Sequence, residues 1–138
     1  MINKLGIALA AEHESLTAFR DFILNACQDA ALKEEEIYDI RLAVEEVCVN
    51  IIDHGYKGMN PGTINISFQY GSQQVVIRLT DYGYPFEPSE PPPPNADDLL
   101  DTPDKGGLGL HFIYRSVDAV TYESTESGNT LTLIKRLN

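Results

Sequence analysis

Three short stretches carry residue types that could do chemistry together. Glu46, Asn50 and His54 stand at i, i+4 and i+8. At about 100° per residue they stack along one edge of a helix, beside the small Ala43. A carboxylate, an amide and an imidazole at the border of a buried face need partners, because an unpaired polar group there is costly. The partner is either a neighbouring loop or a ligand whose charge those groups answer. Asp81-Tyr82-Gly83 closes a strand pattern. Asp81 can accept a hydrogen bond from an exocyclic amine, and Gly83 lets a planar ring lie against the backbone. A plain Asx turn is the alternative. Gly106-Gly107-Leu108-Gly109-Leu110 opens a helix, where close backbone approach and the helix N-terminus suit a phosphate. It is neither a Walker A loop nor a strand-borne GxGxxG. Lys105, just before it, either pairs with that phosphate or is one solvated residue among the 10 Lys and Arg.

The elements that must position these groups follow from periodicity. Ile37, Ile40, Val44, Val47, Cys48, Ile51 and Ile52 form one apolar arc, which predicts a helix from Glu34 to about His54. Glu34, Glu35 and Glu36 suit its N-terminal dipole, and Gly55 and Gly58 are natural stops before a loop at 59–62. An earlier helix is expected over 13–31, with a break at Leu32-Lys33, and residues 2–9 read as an edge strand. Ile64, Ile66, Phe68 and Tyr70 alternate with polar residues, then Val75, Ile77 and Leu79 do the same after a turn at Gly71-Ser72. Residues 87–105 hold six prolines and a cluster of acids, a composition for a lid, a binding loop or disorder. A helix through about Ser116 and two strands, 119–123 and 130–137, finish the chain around a turn at Ser127-Gly128-Asn129. Hairpins dominate, so the expected fold is α+β: a two-layer sandwich with a mostly antiparallel sheet and helices on one face.

Composition narrows the function classes. The chain has 138 residues, enough for one domain with a core of its own. A net charge of −11 argues against nucleic acid as a direct partner and suits a basic protein partner. No run of about 18 apolar residues exists to span a membrane, and no basic-then-apolar leader begins the chain. Cys27 and Cys48 occupy apolar helical positions without metal spacing, so free thiols and a cytoplasmic setting are expected.

In order, E-x-x-x-N on a helix, D-x-G after a hairpin, and a long loop closing on G-G-x-G-L resemble the signature of the GHKL (Bergerat-fold) ATPases. One branch is especially similar, the anti-sigma-factor serine/threonine-protein kinases. Glu46-Val47-Cys48-Val49-Asn50 with Asp53-His54-Gly55-Tyr56 looks like that branch's N box. Asp81-Tyr82-Gly83-Tyr84-Pro85-Phe86 looks like its first glycine box, and Gly106 to Ile113 like its second. Gly128-Asn129-Thr130 and the strand after it resemble the final strand pair, whose Thr lies near the adenine. The resemblance covers nearly the whole chain. It implies a Bergerat ATP-binding fold, a mostly antiparallel mixed sheet, and ATP with Mg²⁺ as cofactors. Asn50 would help hold Mg²⁺, Asp81 would bind the adenine amine, and Gly83 would lie under the base. Lys105, Gly107, Gly109 and Leu110 would serve the phosphates, with residues 87–105 as the ATP lid and Thr130 near the adenine. Glu46 would be the general base toward the serine of an anti-sigma-factor antagonist of the STAS class. Spacing to Asn50 selects Glu46 over Glu45, which lies about 100° around the helix. The implied partners are that antagonist, a sigma factor and a second copy in a homodimer.

Two function classes follow from these expectations. One is an ATP-dependent protein-serine kinase that also sequesters a sigma factor. The other is an ATP-binding sequestering module without useful transferase activity. A sensor histidine kinase fits poorly, since no phospho-accepting helical domain is seen upstream.

Overall fold

The computed structural model describes residues 3–85 and 113–137. Five strands form one sheet: β1 (Asn3–Ala10), β2 (Thr63–Tyr70), β3 (Gln74–Asp81), β4 (Ala119–Thr125) and β5 (Gly128–Arg136). Their spatial order is β1-β2-β3-β5-β4. Every pairing is antiparallel, so the mixed component expected from the resemblance is absent among the described strands. β1 lies at one edge, as expected, and β4 at the other. The chain leaves β3 at Asp81 and returns to it only through β5. The end of β3 and the start of β5 therefore lie side by side, with Asp81 opposite Asn129.

Register decides which side chains meet. Ile66 faces Leu79, Phe68 faces Ile77, and Leu79 and Ile77 in turn face Leu131 and Leu133. Opposed residues in an antiparallel pair share a face of the sheet. This face is buried; Ile64, Phe68, Val75 and Leu79 are fully covered. The opposite face carries Ser67 against Arg78 and Thr80 against Thr130. Helix α1 (Leu16–Asp29) buries Phe19, Ile23, Ala26 and Cys27, and α2 (Glu34–Asn50) buries Ile40, Ala43, Val44, Val47 and Cys48. Helices and strands close one continuous cluster, giving the two-layer α+β sandwich. Each such aliphatic or aromatic side chain contributes about 1.5–3 kcal/mol on burial. Cys27 and Cys48 are free and buried, and burial pushes both thiols up to about 12, which keeps them unreactive. No helix among the described residues is long and apolar enough to cross a membrane.

Local chemistry sets the helix ends. The Glu36 carboxylate accepts the Lys33 N–H at 2.9 Å and starts α2. α2 is shorter than its apolar arc suggests: it ends at Asn50 and passes into a turn of π-helix, Ile51–Gly55. The wider turn breaks the i, i+4, i+8 stack after Asn50 and leaves His54 exposed to solvent. Lys135 of β5 donates to Asp39 Oδ2 at 3.0 Å and to the Ser116 carbonyl at 3.1 Å. That side chain fastens α2 and the helical residues 113–116 to the same strand.

α1 ends two residues before the expected break, through paired hydrogen bonds from Leu32 N to Cys27 O and from Ala31 N to Gln28 O. This Schellman arrangement needs a left-handed residue, and Ala31 takes it with φ 57°. A Cβ in that conformation costs roughly 1–2 kcal/mol. Ala31→Gly therefore raises stability by up to about 1 kcal/mol, after the extra chain entropy of glycine is subtracted. The urea midpoint should move upward at constant slope; an unchanged or lower midpoint contradicts this account.

Candidate active site

The π-helical turn exists to make a contact. It presents the Gly55 carbonyl to the segment after β3, where the Tyr84 N–H donates to it at 2.6 Å. The backbones are so close that a Cβ on Gly83 would lie 2.1 Å from the Gly55 oxygen. Tyr56 completes the joint. Its hydroxyl accepts the Tyr82 N–H at 2.9 Å and donates to the Thr63 carbonyl at 2.8 Å. Burial raises the pKa of this hydroxyl, so it stays a donor. Gly62 gives up its side chain for the same ring, since a Cβ there would lie 2.7 Å from it.

Asp81 sits at this joint and is 6% exposed. Its Oδ1 accepts the Gly83 N–H at 2.9 Å and an Asn129 Nδ2 proton at 3.1 Å. The first of these is the Asx turn weighed from sequence. Among the described residues nothing bonds Oδ2. The carboxylate thus makes its own turn with one oxygen and keeps the other as an acceptor. Asp81 lines a cleft with Val47, Asn50, Ile51, Gly55, Tyr84, Ile113, Tyr122 and Leu131. An apolar slot with one oriented carboxylate and one amide suits a flat, partly polar ligand.

Glu46 stands one helical turn before Asn50 and is half-buried. Burial raises its pKa, and the charges of Glu45 and Asp53 push in the same direction. Glu45 is engaged elsewhere: Arg20 of α1 donates to its Oε1 from Nε at 2.9 Å and also from Nη2. Glu46 has no such cation among the described residues. A carboxylate left without a counter-ion, with a raised pKa, is suited to accept a proton. Asp53, on the π-turn, bonds His13 Nε2 at 2.8 Å through Oδ1.

Of the residues singled out by sequence, Asn50, Asp81 and Gly83 come together, with Glu46 on the adjacent turn. Gly83 is required by the Gly55 backbone, a reason no motif announces. His54 does not line the cleft. Thr130 is not brought to the cleft either. It lies on the far face of the sheet, its hydroxyl 3.0 Å from that of Thr80. Asn129 takes the inward position opposite Asp81. Strand alternation was the available signal, because Asn129, Leu131 and Leu133 share a phase. Lys105, Gly107, Gly109, Leu110 and the expected lid at 87–105 lie outside the described residues. Among those described, no group of three or more His, Cys, Asp or Glu could hold a metal.

The sequence pattern of the histidine kinase-like ATPase domain matches residues 9–135. A serine-protein kinase RsbW of Staphylococcus epidermidis is 31% identical over 132 residues, 92% of this chain and 82% of its own. The RsbW of Staphylococcus aureus strain Newman is 31% identical over 137 residues, 96% of this chain and 84% of its own. The chain belongs to the histidine kinase-like ATPase family, in the branch of the RsbW serine-protein kinases. A more distant RsbW, from Bacillus velezensis, is 25% identical over 99% of the chain. The crystal structure of the RsbU and RsbW domains of Rv1364c from Mycobacterium tuberculosis has the same fold. It superposes with a TM-score of 0.68 at 20% identity, over 98% of this chain and 32% of that longer one.

The Gly55–Gly83 contact generates a test. Gly83→Ala must push the π-turn away from the strand end, since a Cβ cannot share space with a carbonyl oxygen at 2.1 Å. Overpacking of this kind typically costs 1–3 kcal/mol. Thermal unfolding should show a loss of that order together with faster hydrogen exchange at the Tyr84 amide. A variant as stable as wild type, with Tyr84 still protected, refutes the contact.

Proposed function

We propose that this chain is an ATP-dependent protein-serine kinase that phosphorylates a STAS-type anti-sigma-factor antagonist and sequesters a sigma factor, working as a homodimer. The observation that carries the proposal is the open Oδ2 of Asp81 at the wall of an apolar cleft that also holds Asn50. Its ATP-dependent half is supported by membership of a histidine kinase-like ATPase family. The serine kinase half is supported by the RsbW relatives, named serine-protein kinases.

The residues fit the groups they would hold. An adenine ring fills an apolar slot between Val47, Ile51, Ile113 and Leu131, and its exocyclic amine can donate to Asp81 Oδ2. Asn50 offers an amide oxygen at the same cleft, the hard donor type that Mg²⁺ takes. Mg²⁺ keeps most of its coordination for water and phosphate, so one or two protein oxygens suffice and no cluster of carboxylates is needed. When bound with the nucleotide it neutralises phosphate charge. Lys105, Gly107, Gly109 and Leu110 complete the phosphate end in this proposal, with residues 87–105 as the lid.

Phosphoryl transfer asks the protein mainly for positioning and charge neutralisation. Asp81 and the apolar walls would orient the base, and Asn50 would offer its amide oxygen to Mg²⁺ at the phosphate end. Glu46 accepts the proton of the partner's serine hydroxyl as that oxygen bonds the terminal phosphorus, while the bond from that phosphorus to the bridging oxygen breaks and ADP leaves. Arg20 serves this step indirectly by engaging Glu45, which leaves Glu46 as the carboxylate able to act.

Single-turnover phosphorylation of the cognate antagonist tests these roles. Glu46→Gln lowers the rate by about 10²–10⁴ and leaves ATP affinity near wild type. Asp81→Ala weakens ATP binding by the worth of one charged hydrogen bond, about 1.5–3 kcal/mol. Glu45→Gln retains activity. The pH profile carries a sign: a base must be ionised, and the Glu46 pKa is raised. The wild-type rate should climb with pH through a midpoint above the usual carboxylate range and level off beyond it. Transfer by Glu46→Gln at the wild-type rate makes the chain a sequestering module without dedicated catalysis.

A further inference from the structure

Asn129 is the buried polar residue of this region to which no role has been given. It is 3% exposed and stands directly opposite Asp81 in the β3–β5 ladder. Both of its amide protons are used: one goes to Asp81 Oδ1 at 3.1 Å, the other to the Gly83 carbonyl at 2.9 Å. Its Oδ1 accepts the Ser124 hydroxyl proton at 2.7 Å, from the neighbouring strand β4. This amide has one sensible orientation. Turned over, its oxygen would face a carboxylate oxygen and a carbonyl oxygen, acceptor against acceptor, at a residue that is itself buried.

We propose that Asn129 is a positioning residue that sets base selection, by pinning the Asp81 carboxylate so that only an acceptor is presented to the cleft. The inference rests on the reading of Asp81 as the group that meets the base. Oδ1 already accepts two N–H groups, from Gly83 and from Asn129. The carboxylate therefore cannot rotate without breaking two bonds and stranding a buried amide. Oδ2 is left as the acceptor for the ligand edge. A purine with an exocyclic amine at that edge gains a hydrogen bond. A purine with a carbonyl there sets lone pair against lone pair, and the fixed carboxylate cannot turn away. Sites built around a fixed polar group reject the analogue that cannot pair with it far better than apolar pockets reject a change of size. Ser124 acts one step further out, by holding the orientation of the amide.

The test compares ATP with inosine triphosphate, which carries a carbonyl where adenine carries its amine. Affinities of both are measured by calorimetry for the full chain and for Asn129→Ala, Ser124→Ala and Asp81→Ala, each checked for native circular dichroism. In wild type ATP binds more tightly. In Asn129→Ala the ATP affinity falls at least about tenfold, the scale of one weakened charge-assisted hydrogen bond. The inosine nucleotide loses less, so the preference collapses. Ser124→Ala moves the preference the same way by a smaller factor, and it carries the test should Asn129→Ala not fold. An equal loss for both nucleotides marks a merely structural Asn129 and overturns the proposal. So does a wild-type preference in the folded variants. Asp81→Ala separates the two levels. If it also leaves the preference unchanged, the assignment of Asp81 to the base fails. If it abolishes the preference while the Asn129 and Ser124 variants keep it, only the role of Asn129 fails.

Discussion

The candidate site depends on one backbone contact, the Gly55 carbonyl against the turn that follows β3. The Tyr84 N–H takes that carbonyl at 2.6 Å. Three features make the contact possible. α2 relaxes into a π-helical turn at Ile51–Gly55, which carries the carbonyl out of the helical ladder. Gly83 has no side chain where the carbonyl must pass. Tyr56 reaches over the joint and satisfies Tyr82 N–H and Thr63 O with one hydroxyl. Buried backbone groups must find partners, and here those partners come from the other half of the site. Asn50 and Asp81, far apart in sequence, are thereby set on the walls of one cleft.

Charge in the site is partitioned by neighbours. α2 places Glu45 and Glu46 side by side, and the protein distinguishes them with α1. Arg20 takes Glu45 in a charge-assisted pair, and Glu46 is left half-buried beside like charges. Equal residue types thus stand in different surroundings, and burial beside like charges raises the pKa of Glu46. His13 holds Asp53 at 2.8 Å, so the second acidic neighbour of Glu46 is also anchored to the segment before α1. The first helix, which lines no part of the cleft, still shapes its electrostatics.

Much was legible in the sequence because two periods are hard to disguise. The 3.6-residue arc located α1 and α2, and the two-residue alternation located β2 and β3, since burial on one face demands those spacings, while the turn at Ser127-Gly128-Asn129 marked β4 and β5. The antiparallel two-layer arrangement followed from hairpin-length connections. Glu46 and Asn50 fell on one helix edge by spacing alone, and Asp81 at a strand end by its turn chemistry. These are local properties, and a local reading recovers them.

Other features belong to the tertiary structure. A π-turn replaces the last turn of α2 because a carbonyl is wanted elsewhere, and no residue between Ile51 and Gly55 forbids an ordinary helix. Ala31 accepts a left-handed backbone because the Schellman hydrogen bonds outweigh its strain. The motif pointed to Thr130, yet the β3–β5 register turns Thr130 to the far face and sets Asn129 against Asp81. A shift of one residue along a strand exchanges faces, so a motif read without register names the neighbour of the residue that matters. Sequence by itself determined which segments are helix or strand and which carboxylates and amides are available, because those follow from side-chain type and spacing. Only the folded chain decided which of them meet, since that depends on register and on backbone contacts between segments many residues apart.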